Sequence, residues 1–266
     1  MGLMHFSFLP QSLGFHTNVY IILPHDSNKD LEPYKVLYLL HGGAGNAQDW
    51  IRYTSIERYA EENNIAVVMP EVGGSSFYAD MVHGYKYYTY LTEELPMVLN
   101  CFLPISDKRE NRFVAGLSMG GYGAYKWAFD KPDYFSATGN FSGFSFTDEI
   151  FNEDVGPLSK EAKQGEKGIC SLAWGSYESM LGTKNDTRYM VSNAVANNLD
   201  LPKMYVAIGT EDFSYELGKR YIDYMRSNGI DVTYEEMPGA HEWKVWDAAI
   251  QNFMKLVIEI KSCSKK

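Results

Sequence analysis

The run Gly116-Leu117-Ser118-Met119-Gly120-Gly121 places one serine among small neighbours in the pattern G-x-S-x-G. Where a buried strand enters such a pentapeptide and a helix leaves it, the serine sits on a strained turn with its hydroxyl exposed. The chemistry it suits is nucleophilic attack on an acyl carbon. A glycine-rich turn can produce the same letters by chance in a chain with 23 glycines, so the flanks decide. Arg112–Leu117 (RFVAGL) reads as a strand and Met119–Asp130 as a helix that opens in glycines. Ser118 is therefore the candidate nucleophile, with the positive end of a helix beneath it where negative charge would develop.

A serine hydroxyl is a weak nucleophile until a base takes its proton. On an elbow of this kind the partners follow the serine in the order acid, then histidine. Of His5, His16, His25, His41, His83 and His241, only His241 lies after Ser118. It falls in Pro238-Gly239-Ala240-His241-Glu242-Trp243, between the last predicted strand and the last predicted helix; the plainer role would be to cap that helix. Several carboxylates compete as the acid. Asp212, in Gly209-Thr210-Glu211-Asp212, directly follows a strand, and parallel sheets carry their sites at the carboxyl ends of strands. Glu211 is its neighbour and rival, Asp200 precedes the strand, and Asp223 lies in mid-helix. Asp212 is the expected acid, holding the imidazole tautomer and stabilising the imidazolium.

The loop His41-Gly42-Gly43-Ala44-Gly45 follows another apolar strand. An H-G-G loop there brings a backbone N–H to a substrate's oxyanion, alongside the N–H of the residue after the nucleophile. The expected donors are Gly43 and Met119. The loop lacks the spacings G-x-x-x-x-G-K-[ST] and G-x-G-x-x-G, which speaks against nucleotide phosphates. His41 is expected to pin the loop rather than act as a base. Aromatic residues crowd the segment that holds Phe77, Tyr78, Tyr85, Tyr87, Tyr88 and Tyr90. Phe77, Tyr78, Trp174 and Trp243 are candidates for the walls of a substrate pocket. The simpler reading is an aromatic core, in a chain with 20 tyrosines.

Strands and helices must alternate to position these residues, and the hydrophobic pattern says that they do. Strands are expected over 15–23, 34–40, 65–69, 112–117, 138–141, 204–209 and 232–236. Helices are expected over 49–63 with Asp49 as N-cap, 87–102 with a bend or break at Pro96, 119–130, 214–228 and 242–260. Such alternation implies a mostly parallel sheet with helices on both faces. Residues 144–201 break the rhythm and read as an inserted cap or lid over a site.

The chain has 266 residues, 24 Lys and Arg against 34 Asp and Glu, and a formal net charge of −10. That length suits one α/β domain over residues 1–266. The acidic balance argues against nucleic acid or an anionic membrane as partner. Cys101, Cys170 and Cys263 have no spacing for a disulfide framework or thiolate metal site. Residues 1–10 lack the basic start of a signal peptide, and no apolar run reaches the roughly 20 residues of a membrane span. A soluble, cytoplasmic protein without metal or cofactor is expected. Nothing in the composition opposes a homo-oligomer.

His41-Gly42-Gly43, Ser76-Phe77-Tyr78, Tyr90-Leu91-Thr92-Glu93-Glu94-Leu95-Pro96, residues 116–123, Gly209-Thr210-Glu211-Asp212 and Gly239-Ala240-His241-Glu242-Trp243 occur in this order. Together, across residues 19–250, they resemble the esterase D-like family of esterases, and within it the tributyrin-esterase and feruloyl- or acetyl-esterase branch. The resemblance implies an α/β-hydrolase fold and a triad whose roles fall on Ser118, Asp212 and His241. It implies a serine carboxylesterase for short-chain acyl or (hydroxy)cinnamoyl esters, acylated sugars or oligosaccharides among them. Three alternatives stand beside it: an acyltransferase with the same triad, an S-formylglutathione hydrolase, and a non-catalytic carbohydrate-binding protein on this fold. The chain departs from the family in the extra glycines after His41, in Glu71-Val72-Gly73-Gly74, and in lacking the Cys that the glutathione-thioester branch carries after the first loop.

Overall fold

The computed structural model describes residues 1–25, 32–74, 76–143, 145–147 and 169–263. The centre of its sheet follows from largely apolar strands, with buried Thr138 and Asn140 the polar exceptions in β6. Strands β3 (Lys35–Leu40), β4 (Ile65–Pro70), β5 (Arg112–Leu117), β6 (Ala137–Phe141) and β7 (Lys203–Gly209) are buried nearly end to end. That is what parallel strands covered on both faces require. Outside them lie β8 (Val232–Met237) at one edge, and β2 (Thr17–Leu23) then β1 (Gly2–Phe8) at the other. The order is β1-β2-β4-β3-β5-β6-β7-β8, with β1–β2 and β2–β4 antiparallel and every other pairing parallel.

Alternation along each strand divides the core into two layers. On β3, Val36, Tyr38 and Leu40 join one apolar cluster while Leu37 and Leu39 join the other. The first layer is covered by α4 (Leu95–Phe102), α5 (Met119–Asp130), α8 (Thr187–Ala196) and α9 (Tyr215–Ser227), through residues such as Leu99, Trp127, Val191 and Tyr221. The second is covered by α1 (Asp49–Tyr53), α2 (Ile56–Asn63) and α10 (Trp243–Cys263), through Trp50, Ala60 and Phe253. The register sets Leu40 beside Gly116, Leu117 beside Phe141, Phe141 beside Ala207 and Gly209 beside Met237. The loops that leave β3, β5, β7 and β8 therefore emerge at one end of the sheet.

Three expectations are corrected. The helix expected over 49–63 is two helices, because Thr54 is extended and its hydroxyl accepts the Ile56 N–H. Asp49 is the first helical residue, with Gln48 as N-cap; the Asp49 carboxylate instead accepts the Asn46 N–H. Pro96 does not end its helix; the change in the ladder falls just before it. Short α3 (Tyr87–Thr89) continues through a π-helical turn (Tyr90–Glu94) into α4, and Pro96 sits in the first turn of α4. The wider turn bonds Leu95 N–H to the Tyr90 carbonyl. β1 went unanticipated because its side chains are mostly exposed and leave little burial pattern to read. Of the expected cap, 144 and 148–168 lie outside the described residues; α6 (Ile169–Trp174), α7 (Tyr177–Met180) and α8 lie within them.

Lys126, on α5, is a buried cation at 1% exposure. Its Nζ donates to the Tyr78 carbonyl at 3.0 Å and to Asn185 Oδ1 at 2.6 Å. Burial and the nearby Lys184 pull its pKa down to about 7, against the attraction of Asp80 and Asp130. Because the unfolded chain binds this proton more tightly, folding stability should rise with pH above about 7, by at most about 1.4 kcal/mol per pH unit. Lys126→Met should flatten that slope and lower stability throughout, since it leaves the buried Tyr78 carbonyl and the half-buried Asn185 Oδ1 without their donor. Urea titrations of both proteins at pH 7, 8 and 9 check this; equal slopes would refute it.

Candidate active site

β5 ends at Leu117 and α5 begins at Met119, so Ser118 alone turns the chain, at φ 52° and ψ −120°. Few L-residues adopt that conformation, and it persists only where the surroundings impose it. Here the Ser118 N–H donates to the Phe141 carbonyl at 2.8 Å and its carbonyl accepts the Tyr122 N–H at 3.2 Å. The flanking glycines are a matter of space: a Cβ on Gly120 would stand 2.4 Å from the Leu40 carbonyl oxygen and 2.6 Å from that of His41.

The loops after β7 and β8 are laced by backbone bonds, Thr210 N–H to Met237 at 2.8 Å and Glu211 N–H to Gly239 at 3.0 Å. This lacing brings Asp212 to His241 across 29 residues, with His241 Nδ1 donating to Asp212 Oδ2 at 2.9 Å. The other carboxylate oxygen accepts the Ser214 N–H at 2.9 Å and the Ser214 hydroxyl at 2.7 Å. Burial pushes the Asp212 carboxyl up, but the His241 and Ser214 donors outweigh it and hold it below the ordinary carboxylate value. Of its rivals, Glu211 is exposed, Asp200 pairs with Arg109 at 2.6 Å, and Asp223 stays within α9. The Phe213 and Trp246 rings hold the imidazole, their centroids 4.7 and 4.9 Å away. With its proton on Nδ1, the ring keeps Nε2 as the basic nitrogen. Among the described residues neither Nε2 nor Ser118 Oγ has a hydrogen-bond partner, and both residues line one cavity of about 380 Å³.

Gly43 lines this cavity and packs close to Met119, the residue after Ser118: a Cβ on Gly43 would lie 3.9 Å from Met119 Cβ. Among the described residues neither N–H is bonded to protein. The Gly43 N–H shares a peptide plane with the Gly42 carbonyl, so fixing one aims the other in the opposite direction. His41 Nδ1–H donates to that carbonyl at 2.8 Å, the Gly45 N–H donates to it at 3.2 Å, and His41 Nε2 accepts the Val72 N–H. Both ring nitrogens are thus committed, and burial lowers the His41 pKa. His41 pins this loop as a neutral imidazole.

The aromatic residues divide unexpectedly. Trp243 lines the cavity with Tyr53 and Trp246, its ring 4.9 Å from Tyr53 and 5.3 Å from Trp246. Phe77, Tyr78 and Trp174 do not line it. Phe77 and Trp174 pack on each other at 4.6 Å in the core, and Tyr78 is fully buried with its hydroxyl spent on the His41 carbonyl. Tyr53, Arg52 and Trp246 are among the lining residues that sequence reasoning missed, with Asn46, Asp49 and Leu117. Trp246 stands one helical turn after Trp243, a spacing that could have revealed it. Among the described residues no group of His, Cys, Asp or Glu side chains is placed to hold a metal ion, and no helix is long and apolar enough to cross a membrane.

The model of the family described as "Putative esterase" matches residues 11–255. The chain belongs to this family. An acetyl esterase of Caldicellulosiruptor saccharolyticus is 30% identical over 263 residues, covering 95% of this chain and 96% of that protein. FphF, a fluorophosphonate-binding serine hydrolase of Staphylococcus aureus, superposes with a TM-score of 0.86 at 33% identity, covering 97% of this chain and 98% of its own. An S-formylglutathione hydrolase (FrmB) from the same organism superposes at 0.83 with 34% identity and the same coverage. The esterase is a carboxylic ester hydrolase with an α/β-hydrolase fold.

Proposed function

We propose that this esterase hydrolyses short-chain acyl esters through an acyl-enzyme on Ser118. His241 Nε2 takes the serine proton during attack and returns it to the departing alcohol. Asp212 keeps the imidazole proton on Nδ1, and the N–H groups of Gly43 and Met119 stabilise the oxyanion. Water activated by the same nitrogen then releases the acid. The observation that carries this reading is the 2.9 Å bond from His241 to Asp212, with His241 lining the same cavity as Ser118. The cavity, about 380 Å³, lies near the lower end of the range for ligand sites, roughly 300–1,000 Å³. Glycines wall one side of it and aromatic rings another, which favours a small acyl group over a (hydroxy)cinnamoyl one. The chain acts as one domain.

A thioester of anionic glutathione is a second reading, favoured by Arg52. This guanidinium lines the cavity and lies 5.5 Å from the centre of the Tyr53 ring, with no acidic partner among the described residues. A panel of acetyl, butyryl and feruloyl esters with S-formylglutathione separates the readings. The acetyl and butyryl esters are expected to give the highest kcat/KM; preference for the feruloyl ester or the thioester would reassign the substrate.

A further inference from the structure

Two consecutive bulky residues, Phe77 at φ 48° and Tyr78 at φ 47°, occupy the left-handed region. Side chains with a Cβ avoid it, and Phe and Tyr have no local hydrogen bond to compensate. Strain of this kind persists only where neighbours impose it, and it clusters where geometry serves function. The imposing contacts are specific. Ser76 N–H bonds to the Gly73 carbonyl at 2.9 Å, Ala79 N–H to the Ser76 carbonyl at 2.9 Å, and Tyr78 N–H to Ser76 Oγ at 3.2 Å. The buried Lys126 holds the Tyr78 carbonyl at 3.0 Å, and the Tyr78 ring rests on Gly123, where a Cβ would come within 2.6 Å of it.

All of this places one atom. The Tyr78 hydroxyl donates to the His41 carbonyl at 2.9 Å, across 37 residues. That carbonyl belongs to the peptide plane immediately before the one whose N–H is that of Gly43. His41 and Gly45 fix the second plane through the Gly42 carbonyl; Tyr78 fixes the first. Without it, the glycine pair could rotate about the Gly42 Cα, since no side chain there restrains φ or ψ.

We propose that Tyr78 is a positioning residue for the oxyanion loop: its hydroxyl locks the His41 peptide so that the Gly43 N–H stays aimed at the ester oxygen as negative charge develops. The proposal rests on the reading of Gly43 as an oxyanion donor. Tyr78 touches no substrate; it acts through the loop.

Tyr78→Phe removes the hydroxyl and keeps the ring. Losing a whole oxyanion donor costs about 10²–10³ in kcat, so a loosened one should cost about 10- to 100-fold. KM for p-nitrophenyl acetate should stay within about twofold, because the ground-state carbonyl draws little on the hole. The rate of inactivation by a fluorophosphonate should fall in parallel, since phosphonylation builds charge on the same oxygen. Tyr125→Phe is the matched control: its hydroxyl also donates to a buried main-chain carbonyl, that of Tyr205 at 3.2 Å. It should lose comparable thermal stability with kcat unchanged. If Tyr78→Phe keeps wild-type kcat, or raises KM alone, the proposal is overturned. Should Tyr78→Phe fail to fold, Ser76→Ala decides, because it removes only the acceptor of the Tyr78 N–H: lower kcat supports the proposal and wild-type kcat overturns it. A wild-type protein that no fluorophosphonate labels would instead overturn the Ser118 reading itself.

Discussion

Ser118→Ala is expected to lower kcat for p-nitrophenyl acetate by about 10⁶, by analogy with removal of the nucleophile from other triads. The structure says why this variant should be clean. Ser118 Oγ has no hydrogen-bond partner among the described residues, so its removal leaves no group unpaired. The turn is held by the Ser118 backbone bonds to Phe141 and Tyr122, which alanine keeps. The left-handed strain is the same for both side chains. Thermal denaturation should therefore match wild type closely while turnover and fluorophosphonate labelling vanish together. The oxyanion donors survive, so a residual rate about 10³ above the uncatalysed reaction is expected. Wild-type turnover by the variant would remove Ser118 from the mechanism.

Asp212→Asn should cost about 10⁴ in kcat with little change in KM. The size follows from which atom each oxygen serves. One carboxylate oxygen accepts two donors from Ser214, and the other accepts the His241 Nδ1–H. In the asparagine variant the amide oxygen must face Ser214, since the NH₂ group cannot accept its two donors. The NH₂ then faces His241 Nδ1, which must give up its proton to accept. The proton moves to Nε2, the nitrogen that should receive the serine proton, and the base is lost without disturbing the fold. Glu211→Gln, one residue away but exposed, should leave kcat within about twofold. Kinetics of the two variants settle the acid; the opposite ranking would transfer the role to Glu211.

Tyr78 illustrates where reading the chain runs out. The letters Ser76-Phe77-Tyr78 fit the family pattern, and the aromatics crowded over residues 77–90 suggest a pocket wall. Both ring faces are nevertheless buried, because the chain turns left-handed at Phe77 and Tyr78 under restraints from Gly73, Gly123 and Lys126. No local signal announces that turn, since neither residue type favours it. Of the expected wall residues only Trp243 lines the cavity, joined by Trp246 on α10 and by Tyr53 on α1, residues about 190 positions apart that meet only because both helices cover one sheet face. Pro96 makes the same point on a smaller scale: a widened turn over Tyr90–Glu94 precedes it, and the helix continues past it.

What the sequence determined by itself is what local physics controls. Two-faced burial of β3, β4 and most of β5 and β7 follows from their apolar runs, and the glycines around Ser118 can be read as an elbow because only small residues tolerate that approach. The order of serine, acid and histidine is also local information. Tertiary structure decided which acid reaches His241, which aromatics line the cavity beside Ser118 and which side chains hold the loop after β3. Those depend on the register between strands and on long-range hydrogen bonds, such as Tyr78 to His41 and Glu211 to Gly239. Side-chain type says only that such bonds can form; the fold sets the distances at which they do.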